Sequence, residues 1–225
     1  MRFVFIRHGQ PEWFRDGSAV DNPGLTDLGW AQARLAGGRF KPGDADILLV
    51  SPLVRARETA EPIAEALGLE PVVLDWLQEI GSPKWEGAPL AHVQRMFEEH
   101  REKSIEEIWN GLEGGESFHD FHDRVTTGLH AFLEDHGKSQ DVESPHLWSQ
   151  ALDEPRVVIV AHGGTDASAI GYLLGLPPVP WEWERFVTFH SSISEVNPIE
   201  INGRHAYSLL RLSDVSHLPP GLQTR

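Results

Sequence analysis

Cysteine is absent from this sequence, and its absence excludes disulfides, thiol chemistry and thiolate metal sites. Basic residues are scarce: 19 lysines and arginines stand against 34 aspartates and glutamates, so the formal net charge is −15 at pH 7. This excess of negative charge argues against nucleic acid or an anionic membrane as a partner. A phosphorylated small molecule is not excluded, because a few local arginines can offset the field of the whole protein.

Long apolar runs are missing as well. No stretch approaches the roughly 20 apolar residues that a membrane-spanning helix needs. The opening apolar segment, residues 1–6, is short and is followed at once by Arg7 and His8, which is not the pattern of a secretory signal peptide. We therefore expect a cytoplasmic protein. The 225 residues fit one domain with an insertion, and 8 tryptophans and 10 phenylalanines suffice for a substantial core.

Short apolar runs alternate with helical patterns at both ends of the chain. Two final strands, about 186–196 and 206–212, flank Asn202-Gly203, a dipeptide typical of a hairpin turn. Strands that alternate with helices pack as a parallel sheet covered by helices, so the sequence predicts a three-layer α/β/α fold with a mostly parallel central sheet. The other predicted strands are residues 3–6, 47–50, 72–74 and 157–161, and the predicted helices are about 27–35, 53–67 and 165–174.

The middle of the chain has a different pattern. Residues 82–135 are predicted to form a mainly helical insertion, with helices at about 90–109 and 118–133, and its first part should cover some of the pocket. Residues 136–155 are polar and predict a long surface loop. Residues 7–25, rich in glycine, proline, aspartate and asparagine, indicate another loop. Ser51 before Pro52 predicts the N-cap of the second helix.

Titratable side chains follow the predicted strands at the ends where open α/β sheets bind ligands. Arg7 and His8 follow the first strand, and His162 follows the late strand. Arg55 lies one helical turn after the second strand, and Glu79 lies after the third. Arginine binds phosphate with two hydrogen bonds, neutral imidazole is a nucleophile, and one carboxyl group can act as acid and then as base. This set suits phosphoryl transfer through a covalent phosphohistidine.

Five segments of the chain resemble, in order, signature segments of the histidine phosphatase superfamily, the phosphoglycerate mutase-like proteins. Arg-His-Gly alone is a weak match, but the five segments together span most of the chain. The similarity is greatest to the small, broad-specificity phosphatases of this superfamily. The segments are Arg7-His8-Gly9, Ser51–Ala60, Leu77–Ile80 with Trp85–Gly87, Gly114–Ser117 leading to Arg124-Val125, and Val160–Gly164.

The resemblance implies a role for each matched residue. His8 would be the nucleophile, and Glu79 would protonate the leaving oxygen and then help to activate water. Arg7, Arg55 and His162 would hold the transferring phosphoryl group. The resemblance implies no metal and no other cofactor, since two arginines and a histidine supply the positive charge.

The segment after Arg-His-Gly departs from the family pattern. Many members continue with Glu-Thr or Glu-Ser and then Trp-Asn, whereas this chain has Gln-Pro-Glu-Trp-Phe at residues 10–14. Pro11 and Phe14 thus replace a hydroxyl and an amide that would contact phosphate in the mutase-type pattern. The departure favours a phosphomonoester hydrolase. The alternatives are phosphoglycerate mutase-type phosphoryl transfer and a non-catalytic phosphate-binding or scaffold protein.

Further candidates for substrate binding are Gly163, Gln10 and Asn22, and Asn22 or Ser18 would replace the missing contacts from the loop. For two of the proposed roles the sequence offers alternative residues nearby. Arg57 shares a helix with Arg55, although the family register favours Arg55. Glu86 and Asp75 compete with Glu79, which the Leu-Gln-Glu-Ile context selects.

Three histidines outside these segments are further candidates for metal or substrate binding. His119 and His122 are spaced like a metal pair on a helix but have no third ligand at a recognisable spacing, so solvent-facing positions are the better account. His190 either lines the substrate site or is an ordinary strand histidine. We expect a small phosphorylated metabolite as substrate, with a phosphoprotein as the alternative, and a monomer or a homodimer.

Overall fold

The computed structural model describes residues 1–141, 144, 146–149 and 154–225. Eight strands are assigned among these residues: β1 (Arg2–Arg7), β2 (Phe14–Arg15), β3 (Ser18–Ala19), β4 (Ile47–Val50), β5 (Val72–Val73), β6 (Arg156–Ala161), β7 (Ile193–Ile201) and β8 (Arg204–Asp214). The helices among them are α1 (Asp27–Gly37), α2 (Val54–Leu67), α3 (Leu90–Arg101), α4 (Ile105–Trp109), α5 (Phe118–Asp135), α6 (Gly163–Leu173) and α7 (Glu182–Arg185). Within the described ranges, no helix is both long and apolar enough to cross a membrane.

The central sheet has the strand order β5-β4-β6-β1-β7-β8. Strands β5, β4, β6 and β1 run parallel, and β7 and β8 add an antiparallel hairpin. Asn202 and Gly203 both have positive φ, 51° and 73°, as the predicted two-residue turn requires. The α/β prediction with a mostly parallel sheet is confirmed. Because β4, β6 and β1 are parallel neighbours, the residues that follow these strands lie together at the carboxyl-terminal end of the sheet.

Helices cover both faces of the sheet, and the alternation of side chains along β1 shows how. Phe3 and Phe5 point into a core shared with α5 and α6, whereas Ile6 points into a second core shared with α2. Strand β5 lies at the edge, and Val72 and Val73 are 48% and 47% exposed. The third predicted strand is therefore an edge strand and is not buried.

The helical pattern at 90–109 forms two helices, α3 and α4. The sequence prediction of one helical region missed the break, which is explained by Ser104. Its hydroxyl accepts from the backbone N–H of Glu107, while the Glu107 carboxylate accepts from the Ser104 N–H, and this capping box starts a new helix.

The prediction of a loop at 7–25 missed the short hairpin β2–β3. Its backbone is hydrogen-bonded to the start of the insertion, with Ala19 N–H donating to the carbonyl of Ala88 at 2.8 Å and Gly87 N–H donating to the carbonyl of Ala19 at 2.9 Å. The hairpin thus connects the insertion to the segment that follows His8.

The segment 136–155 is not a surface loop throughout. Lys138 and Trp148 are each only 1% exposed. Trp148 pairs with His205 of β8, and the Lys138 ammonium donates to the carboxylate of Glu154 and to the carbonyl of Ser149. An ion pair and a strand-like bridge hold these two side chains inside, which a polar composition does not reveal. Residues 142, 143, 145 and 150–153 of the predicted loop lie outside the described residues.

Candidate active site

His8 follows directly after β1 and is 3% exposed. Its Nδ1 lies 2.8 Å from the carbonyl oxygen of Gly9, and because a carbonyl can only accept, Nδ1 carries the hydrogen. The other ring nitrogen, Nε2, therefore holds a lone pair, to which Nε of Arg55 donates at 3.3 Å. A side chain at Gly9 is excluded, since its Cβ would lie 2.6 Å from the carbonyl oxygen of Gly29.

Arg55 is placed by the first turn of α2 and is also 3% exposed. Its guanidinium carbon lies 4.6 Å from the centre of the Trp13 ring, so the cation is held against an aromatic face contributed by the β2–β3 region. The rival arginine, Arg57, is exposed on the other side of the same helix. Of the two, only Arg55 is placed beside His8.

His162 follows β6 and is fully buried, with its ring centre 5.0 Å from that of His8. Nε2 of His162 lies 2.7 Å from the Ser51 hydroxyl, which also accepts from the backbone N–H of Leu53. Ser51 is fully buried, and Nε2 of His162 is the one acceptor among the described residues for its hydroxyl hydrogen, so Ser51 donates to Nε2 and Nδ1 of His162 carries the ring hydrogen. That Nδ1 is buried and has no hydrogen-bond partner within the described part of the chain.

Ser51 is thus not the N-cap of α2, and that prediction is wrong. The helix begins at Val54, after Leu53, which provides no side-chain cap. Asn22 supplies the cap from the opposite loop, because its Oδ1 accepts from the backbone N–H of Val54 at 3.1 Å. Asn22 is exposed, and its side-chain oxygen is already used as the cap of α2.

Arg7 ends β1 and is mostly buried. One terminal nitrogen donates to the carbonyl of Thr188 at 2.5 Å, whereas Nε is buried and has no partner among the described residues. Gly163 lies beside it: a Cβ built on Gly163 would be 3.6 Å from Nε of Arg7. Gln10 points elsewhere, because its amide oxygen accepts from the hydroxyl of Thr26, the N-cap of α1, at 2.9 Å.

The electrostatics of this cluster keep the imidazoles neutral. Burial, followed by the positive charge of Arg55, lowers the pKa of both His8 and His162 well below its usual range. Burial also lowers the pKa of Arg55 to about 10 and lowers the pKa of Arg7, although Glu79 opposes both shifts. At neutral pH the site thus has two charged guanidinium groups and two uncharged imidazoles.

Glu79 reaches the same site from the segment after β5. One carboxylate oxygen accepts from the backbone N–H of Gly164 at 2.9 Å, and the other accepts from that of Ile80 at 3.1 Å. Thr165 adds a hydrogen bond from its hydroxyl to the carbonyl of Gln78 at 2.9 Å. The first turn of α6 is therefore attached directly to the Gln78-Glu79 segment.

Arg124 of α5 holds this segment from the other side, which the sequence analysis did not foresee. Its guanidinium donates to the carbonyls of Trp76 and Gln78, each at 3.1 Å, and forms a paired salt bridge with Glu116 at 2.9 and 2.8 Å. The only sequence signal was that Glu116 and Arg124 lie in one of the five family-like segments. Asp166 was also missed: it is 1% exposed, and burial and then Glu79 raise its pKa well above the usual value.

The remaining histidine candidates are also placed. His119 is exposed, as predicted, and stacks on Trp109 with ring centres 4.4 Å apart, whereas His122 is half-buried and does not face solvent fully. The residues that the structure describes contain no group of three or more metal-ligating side chains. His190 is buried, with its ring centre 5.6 Å from that of His8, so it belongs to the cluster around His8.

The chain is similar to known proteins in both sequence and fold. Phosphoserine phosphatase 1 of Hydrogenobacter thermophilus is 28% identical over 221 residues, which cover 97% of this chain and 94% of that protein. Glucosyl-3-phosphoglycerate phosphatase of Mycolicibacterium vanbaalenii is 31% identical over 184 residues, covering 80% and 77%. The solved structure of a mycobacterial glucosyl-3-phosphoglycerate phosphatase with VO3 aligns at a TM-score of 0.68 and 26% identity, covering 94% of this chain and 98% of that one.

The resemblance seen in the sequence is thereby confirmed for nearly the whole chain. Residues 3–206 match the family, and the matched range includes each of the five segments. This chain belongs to the histidine phosphatase superfamily, branch 1.

Proposed function

We propose that the protein hydrolyses phosphomonoesters through a phosphohistidine on His8, with Glu79 as general acid and base. The observation that carries this proposal is the state of His8. Its Nδ1 hydrogen is used by the Gly9 carbonyl, so the lone pair on Nε2 faces the buried guanidinium of Arg55. A neutral nucleophile next to a buried cation is suited to attack an anionic phosphoryl group.

In the first step Nε2 of His8 forms a bond to phosphorus and the bond from phosphorus to the ester oxygen breaks. Glu79 gives a proton to that oxygen, so the alcohol leaves uncharged. Arg7 Nε and His162 Nδ1 are buried donors with no partner in the described chain, and they would bind the phosphoryl oxygens.

In the second step water attacks the phosphorus and the bond to Nε2 breaks. Glu79, now a carboxylate, accepts a proton from that water, which regenerates His8 and releases inorganic phosphate. The positive charge that stabilises both transition states comes from Arg7 and Arg55, so no metal ion is part of the proposal, and activity should survive treatment with a chelator.

For the substrate we propose a small phosphorylated metabolite. The relatives are named for phosphoserine and for glucosyl-3-phosphoglycerate, which makes these two compounds the first to test. The phosphoryl group that every phosphomonoester shares would bind at the carboxyl-terminal ends of the central strands. We propose that the insertion selects the alcohol; in support, its start is hydrogen-bonded to the β2–β3 hairpin, and the residue before that hairpin, Trp13, contacts Arg55.

Trapping the phosphoenzyme tests the mechanism. The protein is mixed with a ³²P-labelled substrate, quenched in alkali and examined for acid-labile label on histidine. We expect label on the wild type and on His92→Asn, an exposed histidine of α3, and none on His8→Asn. Equal labelling of wild type and His8→Asn would refute a phosphohistidine at this residue.

A product assay separates hydrolysis from the two alternatives. With 3-phosphoglycerate, a hydrolase releases inorganic phosphate, whereas a mutase forms 2-phosphoglycerate without release. We expect phosphate, since Pro11 and Phe14 stand where the mutase-type pattern has polar contacts. If the wild type hydrolyses an aryl phosphate no faster than His8→Ala, the protein is a non-catalytic member of the family.

A further inference from the structure

His190 carries a buried nitrogen for which the structure shows no use. The residue is 5% exposed, and its Nε2 has no hydrogen-bond partner in the described part of the chain. The ring centre is 5.6 Å from that of His8. Since a buried polar atom without a partner is costly, a nitrogen in this position indicates a ligand group that is bound only when the site is filled.

The backbone next to His190 is strained and firmly held. Ser191 has φ of 54°, a left-handed conformation that is unfavourable for serine. Its N–H is shared between the carbonyls of Arg7 at 2.9 Å and His8 at 3.2 Å. Strain of this kind persists where the surrounding structure imposes it, and it is concentrated at functional sites. These contacts fix His190 to the nucleophile's own backbone.

A relay of side chains sets which nitrogen of His190 carries the hydrogen. The Gln32 amide oxygen accepts from the backbone N–H of Gln10 at 2.8 Å, so its nitrogen must be the group that donates to the Leu222 carbonyl at 2.7 Å and to the Thr224 hydroxyl oxygen at 2.8 Å. Thr224 thus accepts from Gln32 and has one hydrogen of its own to give. Nδ1 of His190, at 2.9 Å, is the one acceptor among the described residues for this hydrogen, and donating it there leaves the ring hydrogen of His190 on Nε2.

We propose that His190 is a phosphoryl-binding residue, whose Nε2–H donates a hydrogen bond to an oxygen of the phosphoryl group at His8. The inference rests on the proposed function and deepens it. The group that it binds is a tetrahedral or trigonal oxyanion, whatever alcohol is attached. Gln32 and Thr224 are positioning residues, because they act on the ligand only through the tautomer of His190.

The charge of His190 fits this role. Burial and the nearby Arg7 lower the pKa of His190 to about 3, so the ring is neutral at any ordinary working pH. A neutral donor binds an oxyanion without placing a third full positive charge beside two buried guanidinium groups. His162 reaches the same state by the same means, since Ser51 donates to one ring nitrogen and leaves the other as a donor.

Affinity for orthovanadate and the rate with an aryl phosphate test the proposal. We expect His190→Phe to weaken inhibition by orthovanadate about 10- to 100-fold, as the loss of a hydrogen bond to a charged group predicts. His190→Gln, which keeps an N–H donor, should recover part of that loss. His92→Phe should match the wild type. Unchanged inhibition in a folded His190→Phe protein overturns the proposal.

The tautomer supplies a readout that a merely structural role would not give. Long-range ¹H–¹⁵N NMR of histidine-labelled wild type should show His190 protonated at Nε2, and Thr224→Val should shift it toward the other tautomer and weaken orthovanadate binding. A wild-type His190 protonated at Nδ1 overturns the proposal even if His190→Phe does not fold. If the wild type hydrolyses no phosphomonoester, the proposed function fails, and orthovanadate affinity measured by calorimetry still decides the role of His190.

Discussion

Nε of Arg55 donates a hydrogen bond to Nε2 of His8 across 3.3 Å. The nitrogen that we propose as the nucleophile is therefore bound to the guanidinium that we propose binds the phosphoryl group. Lysine at position 55 keeps a positive charge but loses the planar set of donors and the aromatic contact with Trp13. We expect Arg55→Lys to lower kcat/KM for an aryl phosphate about 10- to 100-fold, the cost of a charge-assisted hydrogen bond. Steady-state kinetics on purified protein would measure it.

The same helix provides the matched control. Arg57→Lys makes the identical chemical change at an exposed position and should leave kcat/KM within about twofold of the wild type, as surface substitutions usually do. Equal losses in the two variants would show that Arg55 acts through the helix and not through the phosphoryl group.

Glu79→Gln should reveal proton transfer by its dependence on the leaving group. The amide keeps the shape of the side chain and one acceptor oxygen, but it cannot protonate an alkoxide. We expect kcat/KM to fall about 100- to 10,000-fold with an alkyl phosphate, the usual contribution of general acid catalysis, and far less with a nitrophenyl phosphate. Glu86→Gln, at an exposed carboxylate, is the control. A uniform loss across leaving groups would contradict the assignment.

Site residues could be predicted from the sequence where each lies close to its own strand, but not where two contacting residues are far apart along the chain. His8, Arg55 and His162 were predictable because each lies within a short segment next to its own strand, and the strand order β4-β6-β1 then brings those segments together. The bond between Ser51 and His162 was not, since it joins residues 111 apart and competes with an equally good local explanation, a helix cap.

The fold shows the same division. Alternating strands and helices predicted the layers, whereas the two-residue strands β2 and β3 are too short to give a periodic pattern. Arg124 looked like part of a helix, and its bonds to the carbonyls of Trp76 and Gln78 cross 48 and 46 residues. A contact to a backbone carbonyl leaves no trace in the identity of the partner residue, so the family-like segment marked Arg124 but not the carbonyls that it binds.

Gly164→Ala should displace Glu79. A Cβ at position 164 would lie 2.4 Å from a carboxylate oxygen of Glu79, well inside van der Waals contact, so the side chain must move. We expect the kinetic signature of Glu79→Gln, a large loss with alkyl phosphates and a small one with nitrophenyl phosphate. In the Glu79→Ala background the same substitution should cost much less, because the 2.4 Å clash is gone and the next neighbour, Cζ of Phe121, lies 3.3 Å away.

Gly38→Ala is the control for that glycine. Its Cβ would meet nothing closer than the carbonyl oxygen of Leu35 at 3.4 Å, which is ordinary contact. The variant should keep wild-type kinetics with both substrates. If Gly38→Ala and Gly164→Ala lose activity alike, the loss reports on the fold and not on the position of Glu79.

The buried histidines should make the protein less stable as the pH falls. His190 has a pKa of about 3 in the folded protein, against roughly 6.5 in an unfolded chain. Between these values the unfolded chain binds a proton at this residue and the folded chain does not, so acid favours unfolding. One such group changes the free energy of unfolding by about 1.4 kcal/mol per pH unit. Urea denaturation of wild type and His190→Phe from pH 7 to pH 4 should therefore give curves of stability against pH whose slopes differ by about that amount below pH 6, with the variant less sensitive to acid. Parallel curves would mean that His190 is protonated equally in both states, and the neutral donor proposed at the phosphoryl site would then be wrong.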